Sequence, residues 1–506
     1  MAKPEISPAG RPKIRNGRLL MLTPAVTQAE EATAITLSSL PNQYVAQRVG
    51  TSKDVSVSGT LAGPAGTVIE ARVVDATSNT EVVGWVPAAQ SAADGTYKGS
   101  IRVPQGGWYK MQVRAAGSSS VVASDPNKFG VGVLVGLFGQ SNMVNFMSTA
   151  NQYPLGHPKA IQFDNGVYKR LGNTKDTLPP NTLNGTSGYP SKNNVGTNAD
   201  GPVYLANMIA MELGIPVALV YYAAGGSAIS QWMTGQTNWT NFANRVIAAG
   251  GDIEVAIWYQ GESNARSTSQ AAMQTGWNNL LNQCLALTGR TTANFKLGMV
   301  SLGPGRYGGS LEGDFGRMRV WQRDYSSSTP GWFYATGAHA SSCGGDTVHI
   351  GGRGHADNGR REARSYLATL GVGVSGAGPR IISATRSGLD VTFTVVHSGG
   401  TALQDQAGGN GTALTGFRFF DAGSGGALIP YGSTAIVGPT QFRVTLNSAP
   451  VGVLTVDYAI TDSPHGVDDG STITYVPSSA LCDNVALPNM VGCVLQPCAA
   501  MTVTGG

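Results

Sequence analysis

Residues 131–143 read VGVLVGLFGQSNM, and the fold turns on them. The first eight are apolar, rich in β-branched residues and almost free of alternation, the pattern of a parallel strand buried on both faces. The run then breaks into small and polar residues, so Ser141 is expected where a central strand leaves its sheet. In open α/β sheets the ligand crevice lies outside the carboxyl ends of the strands. A serine there is a candidate nucleophile, although a lone serine after a strand more often only begins a turn.

The alternation continues from Gly130 to about Leu370. Strands are predicted over 131–138, 215–222, 253–259 and 296–302, and helices over 202–213, 240–249, 268–288, 313–325 and 354–370. Such alternation argues for a parallel sheet with helices on both faces. The exception is 148–200, a long Asn-, Gly-, Pro- and Thr-rich excursion without apolar periodicity, placed to wall a cleft beside Ser141.

On either side the pattern changes to short alternating runs. Residues 47–128 and 373–506 each read as a β-sandwich, the second ending in a Cys-bearing tail, around an α/β domain at 129–372. Residues 1–46 read as an arm or linker.

Two more strand ends of the α/β region carry small and polar residues. After VALVYY comes Ala223-Ala224-Gly225-Gly226-Ser227, and after VAIWY comes Gln260-Gly261-Glu262-Ser263-Asn264. Parallel strands project their ends on one side, so these segments and Ser141 can share a crevice. Acyl transfer needs a nucleophile and donors aimed at the developing oxyanion. Gly225 would offer a backbone N–H at close approach, and Gln260 or Asn264 a side-chain amide. Glu262 cannot donate when ionised and better suits orienting a neighbour.

A base is still required, and the chain has 6 histidines. His349 stands out because Asp346 lies three residues before it, close enough to fix the ring tautomer and stabilise the imidazolium. His339 and His355 are the alternatives, lying near Asp346 in sequence. No HExxH or paired-His helix supports a metal hydrolase, so no metal or other cofactor is expected. A G-x-S-x-G elbow is absent around Ser141, which argues against the ordinary α/β-hydrolase fold.

Composition narrows the setting. Charged residues are 13%, glycines number 69 and the net charge is +4, a β- and loop-rich profile that suits an extracytoplasmic protein. The small unclustered charge gives nucleic-acid binding no support, and no apolar stretch reaches the length of a membrane span. The N-terminal residues show no apolar h-region with a cleavage site, so a removable signal is not expected. Of the 5 cysteines, Cys482, Cys493 and Cys498 crowd the C-terminus, where a disulfide is open but no pairing is fixed by spacing.

Taken together, GQSNM at 139–143, AAGGSAISQW at 223–232, WYQGESNA at 258–265 and DTVH at 346–349 resemble, in order, the signature blocks of the SGNH hydrolases. The branch they resemble is that of sialate O-acetylesterases and acetylxylan-type carbohydrate esterases. The helix segment Arg319-Val320-Trp321-Gln322 is also similar to a recurrent helix of that branch. The resemblance implies a three-layer, flavodoxin-like α/β domain and metal-independent removal of acetyl groups from a polysaccharide or other glycan. It implies Ser141 as nucleophile, His349 as base and Asp346 as its partner. Gly225, the N–H of Ser141 and Gln260 (Asn264 as second choice) would form the oxyanion hole. The third block reads QGESN instead of Gly-x-Asn-Asp, which leaves the side-chain donor unsettled.

Gln140, Asn142, Trp232 and Glu262 are expected to touch substrate, with Trp239 and Trp258 as further candidates for stacking on sugar rings, Trp258 being the better fit to core. The arm and the low-charge surface also suit a phage tail or spike component, joined to other virion proteins through the arm and open to self-association. The location expected is extracellular or virion-associated, with the cytoplasm left open. The alternative to an active esterase is a receptor- or glycan-binding virion protein with a weak catalytic centre.

Overall fold

The computed structural model describes residues 13–15, 18–20, 31–145, 157–164, 166–171, 200–306, 311–343, 346–468, 473–484, 486–487, 490–491 and 493–505. The run that opened the sequence reading forms strand β1 (Phe129–Gly139), and all 11 of its residues are buried. Numbering the elements of the α/β unit from β1, the chain continues through α1 (Ser141–Asn145), β2 (Ala160–Asp164), β3 (Val167–Arg170) and α2 (Asp200–Leu213). It then forms β4 (Val217–Ala223), α3 (Thr237–Ala248), β5 (Val255–Tyr259) and α4 (Gln270–Thr288). The last elements are β6 (Lys296–Ser301), α5 (Asp314–Ser328), β7 (Trp332–Gly337) and α6 (Gly352–Thr369).

The sheet order is β3-β2-β4-β1-β5-β6-β7, parallel throughout except for β3. Strands β1, β4 and β5 are wholly buried, as near-continuous apolar runs require in a sheet covered on both faces. Successive strands are added on one side of β1 and then, from β5, on the other. The order therefore reverses at β1, and the crevice outside its carboxyl end is where such sheets bind ligands. Phe138 anchors this centre, stacked on Phe242 at 4.4 Å and packed beside Trp232 and Trp258.

Two elements depart from the sequence reading. The 148–200 excursion contains the β2–β3 hairpin, whose strand β2 continues the sheet beside β4. Strand β7 was not anticipated, although WFYATG is an apolar run introduced by Pro330-Gly331. Within the N-terminal arm, Lys13–Arg15 pairs antiparallel with Arg18–Leu20; its other residues before 31 lie outside the described residues.

Antiparallel sheets lie before and after the α/β unit. Strand β1 belongs to the first of them as well: its opening residues pair in parallel with Tyr44–Gln47 and antiparallel with Gly106–Ala115. The N-terminal strands enclose a core of Val57, Val73, Val103, Val113 and Phe129. C-terminally, one sheet contains Asp390–Val396 and Gln441–Leu446, another Phe417–Asp421 and Leu454–Tyr458. They share a core in which Phe393 stacks on Phe442 at 4.7 Å and packs beside Phe417 and Phe419.

Cys284, Cys343, Cys482, Cys493 and Cys498 are buried free thiols, so the structure carries none of the disulfides that the C-terminal cysteines left open. Burial pushes the Cys493 and Cys498 thiols up to about 12.

Candidate active site

The carboxyl ends of β1, β4 and β5 meet in register. Gly139 lies opposite Ala223 on one side and Tyr259 on the other. The Ala224 N–H donates to the Gly139 carbonyl at 2.9 Å, and the Gln140 N–H to the Tyr259 carbonyl at 3.0 Å. Gly139 has φ 153°, and a Cβ there would overlap the Tyr259 carbonyl oxygen, so only glycine lets the strands close this tightly. Two residues beyond each paired position the chain reaches Ser141 and Gly225. Ser141, half-buried, opens α1. Gly225 is exposed, and a Cβ there would meet nothing within 4 Å, so its backbone can be approached.

His349 and Asp346 form a pair on the segment before α6. The His349 Nδ1–H donates to Asp346 Oδ2 at 2.6 Å, while Asp346 Oδ1 accepts the Val348 and His349 N–H groups at 2.9 and 2.7 Å. Burial alone would raise the Asp346 carboxyl, but these bonds outweigh it and hold it below its ordinary value. An ionised Asp346 makes Nδ1 the donor and leaves Nε2 to act as acceptor.

Asn142 joins this pair to the strand end that carries Ser141. Its Nδ2 donates to Glu262 Oε1 at 2.6 Å and to the Val348 carbonyl at 3.0 Å, and its Oδ1 accepts the Ile350 N–H at 3.1 Å. Glu262 is buried, which raises its carboxyl against the lowering effects of Asn142 and nearby His349.

The other expected contacts are buried and hydrogen-bonded within the protein. Gln140 is buried, and its Oε1 faces Gln260 Nε2 and the Gly261 and Ser263 N–H groups at 3.1–3.3 Å. Gln260 Nε2 is shared among Gln140 Oε1, the Ser227 carbonyl and Asn264 Oδ1. Asn264 Nδ2 donates to Thr268 Oγ1 at 2.8 Å. Both amides preferred as oxyanion donors are thus bonded within the scaffold. Trp232 requires a correction: it is 0% exposed, with its indole N–H on Ser227 Oγ at 2.9 Å, so no sugar ring can stack on it. Gln140, Asn142 and Glu262 are likewise buried, Asn142 and Glu262 bonded to each other and Gln140 to the 260–263 segment. Trp258 is core, and Trp239 is nearly so.

His339 and His355, the alternative bases, are buried elsewhere. His339 lies against the Leu495 carbonyl, and burial lowers His355 to about 3. The sequence patterns include Ser227 and Gln322 but assign neither an individual role. Ser227 carries the bond to Trp232, and Gln322 donates from Nε2 to the Gln260 carbonyl at 2.8 Å while accepting the Leu302 N–H at 3.0 Å. The i,i+3 spacing of polar Arg319 and Gln322, both on the buried side of α5, was the available signal.

These segments lie within a stretch of the chain that matches a family model. The matching family model, carbohydrate esterase, sialic acid-specific acetylesterase, spans residues 133–368. The α/β unit and its flanking sheets are together similar in fold to a carbohydrate acetylesterase from Xanthomonas citri. The TM-score is 0.55 at 19% identity, over 92% of this chain and 99% of that one. A protein from Arabidopsis thaliana is similar over 46% of this chain and 98% of its own (TM-score 0.35, 16% identity). A tail fibre protein from a phage of E. coli is similar over 64% and 34% respectively (TM-score 0.29, 12% identity). No curated protein sequence matches the chain.

Proposed function

We propose that this chain is a serine esterase that removes O-acetyl groups from a carbohydrate through an acetyl-enzyme. One observation carries the reading: the Asp346–His349 pair, closed at 2.6 Å, sits on a segment that Asn142 ties to the strand end bearing Ser141. The flanking pairs of sheets are read as two β-sandwich modules around the esterase unit.

His349 Nε2 takes the Ser141 hydroxyl proton as the serine oxygen bonds to the acetyl carbonyl carbon. The carbonyl electrons move onto its oxygen, where the N–H groups of Ser141 and Gly225 receive the charge. With the Gln260 and Asn264 amides committed to the scaffold, backbone donors fit this role better than either side chain. Collapse breaks the bond to the sugar oxygen, which leaves with the proton from His349. Water then attacks the acetyl-enzyme, giving its proton to His349, and acetate departs as the proton returns to Ser141. Side chains and backbone N–H groups handle every charge in this sequence.

Acetate release from a panel of acetylated glycans, compared with Ser141→Ala, tests the proposal. A fall in turnover of about 10³-fold or more is expected for the alanine variant. Equal turnover by the two proteins would sink it.

A further inference from the structure

We propose that Arg319 is a positioning residue for the Asp346–His349 segment, locking the 459–462 turn of the C-terminal sheets behind it. This rests on the esterase reading above.

Arg319 is 0% exposed, and its donors go to main-chain carbonyls from two parts of the chain. Nε lies 3.1 and 3.2 Å from the Leu302 and Gly303 carbonyls, and Nη2 lies 2.7 Å from Gly303 O. Nη1 donates to Ala459 O at 2.8 Å and Thr461 O at 2.9 Å. One planar guanidinium therefore sets the exit of β6 against the C-terminal turn. Burial lowers Arg319 only to about 10, so it remains charged at neutral pH.

The next residues carry that constraint to the catalytic pair. The Gly305 N–H donates to Asp462 O at 2.6 Å, and the Arg306 N–H to Thr347 O at 2.9 Å. Gly305 has φ 121°, and a Cβ on it would overlap the Thr347 carbonyl oxygen, so no slack separates the two segments. Thr347 lies between Asp346 and the Val348 N–H that Asp346 accepts. On the far side, Gly316 of α5 packs so closely on Ile460 that a Cβ would overlap its carbonyl oxygen. Ala459 is held at φ 58°, uncommon for a residue with a Cβ. A buried cation is weak evidence for stability, because apolar residues of similar size often serve as well. Fixing the relative position of two loops is what a planar fork of donors does and an apolar contact does not.

The test compares Arg319→Met, Arg319→Lys, Gly316→Ala and Ser141→Ala on an acetyl ester, with circular dichroism to verify folding. Arg319→Met and Gly316→Ala are expected to lose kcat by about 10- to 100-fold with KM within about threefold, since small misplacement of catalytic groups costs on this scale. The acid limb of the kcat profile should shift in both, and Arg319→Lys should recover part of kcat. Folded Arg319→Met or Gly316→Ala with wild-type kcat and pH profile overturns the proposal. If neither folds, hydrogen exchange on the wild-type chain in rising urea decides. Arg306 and Ala459 amides opening together supports the coupling, and Arg306 staying protected after Ala459 opens overturns it. Turnover retained by Ser141→Ala would instead overturn the esterase reading.

Discussion

Asn142 Nδ2 donates to Glu262 Oε1 at 2.6 Å, joining the residue after the candidate nucleophile to the strand end that follows β5. The same amide holds Val348 and Ile350 on either side of His349. One buried side chain thus spans three of the segments that build the site. Replacing Asn142 by Ala removes every one of these bonds and leaves Glu262 Oε1 buried without its partner. We expect kcat to fall about 10- to 100-fold and stability to drop by about 1–3 kcal/mol. Glu262→Gln keeps an acceptor in place and should stay within about tenfold of wild type. Steady-state kinetics beside urea melts check both, and the expectation fails if Asn142→Ala is the milder change.

Asp346→Asn keeps the shape but removes the charge that fixes the His349 tautomer. An amide nitrogen facing Nδ1 would favour the wrong ring form, so kcat should drop about 10³- to 10⁴-fold with the fold intact. In the wild type, hydrogen bonds hold the Asp346 carboxyl below its ordinary 3.8. The pair's contribution is therefore complete above pH 3.8 and is lost as pH falls through the lower native value. A variant with more than a tenth of wild-type turnover would show that the carboxylate is dispensable.

Glu362, on α6, is buried with neither carboxyl oxygen hydrogen-bonded among the described residues, and burial raises it to about 8 from 4.5. Between those values the native state holds a proton that the unfolded chain releases. Stability linked to Glu362 is thus full below pH 4.5 and declines as pH rises toward 8. Glu362→Gln should match wild type near pH 5 and exceed it by a few kcal/mol at pH 8, on the linkage of about 1.4 kcal/mol per unit. Urea melts at the two pH values give the comparison; equal pH slopes would refute it.

Trp232→Phe separates packing from ligand contact. The indole lies edge-on to Trp258 at 5.3 Å and donates to Ser227, so its loss should lower stability by about 1–2 kcal/mol while KM for an acetylated glycan stays unchanged. A KM raised severalfold in a variant of wild-type stability would return Trp232 to the binding surface.

The α/β pattern was legible because strands covered on both faces must be continuously apolar, as VGVLVGLF, VALVYY and VAIWY are. Strand β2 and its hairpin were not, because edge pairing depends on a neighbour whose position the local residues do not specify. Ser141, Asp346 and His349 could be nominated by residue type, by their place after a strand and by spacing. The work of Gln140, Asn142, Gln260 and Glu262 could not. A polar side chain after a strand looks the same whether it meets substrate or another buried amide.

By itself, the sequence determined which segments are strands, which of their ends carry small and polar residues, and which carboxylate stands one turn from which histidine. Those are matters of local pattern and spacing. Only the tertiary structure decided that the amides are spent on one another, that Trp232 is core, and that a turn far beyond His349 in the chain, at Asp462, reaches Gly305 behind the Asp346–His349 segment. Donors and acceptors are committed by contacts between residues distant in the chain, and burial makes leaving them unpaired too costly.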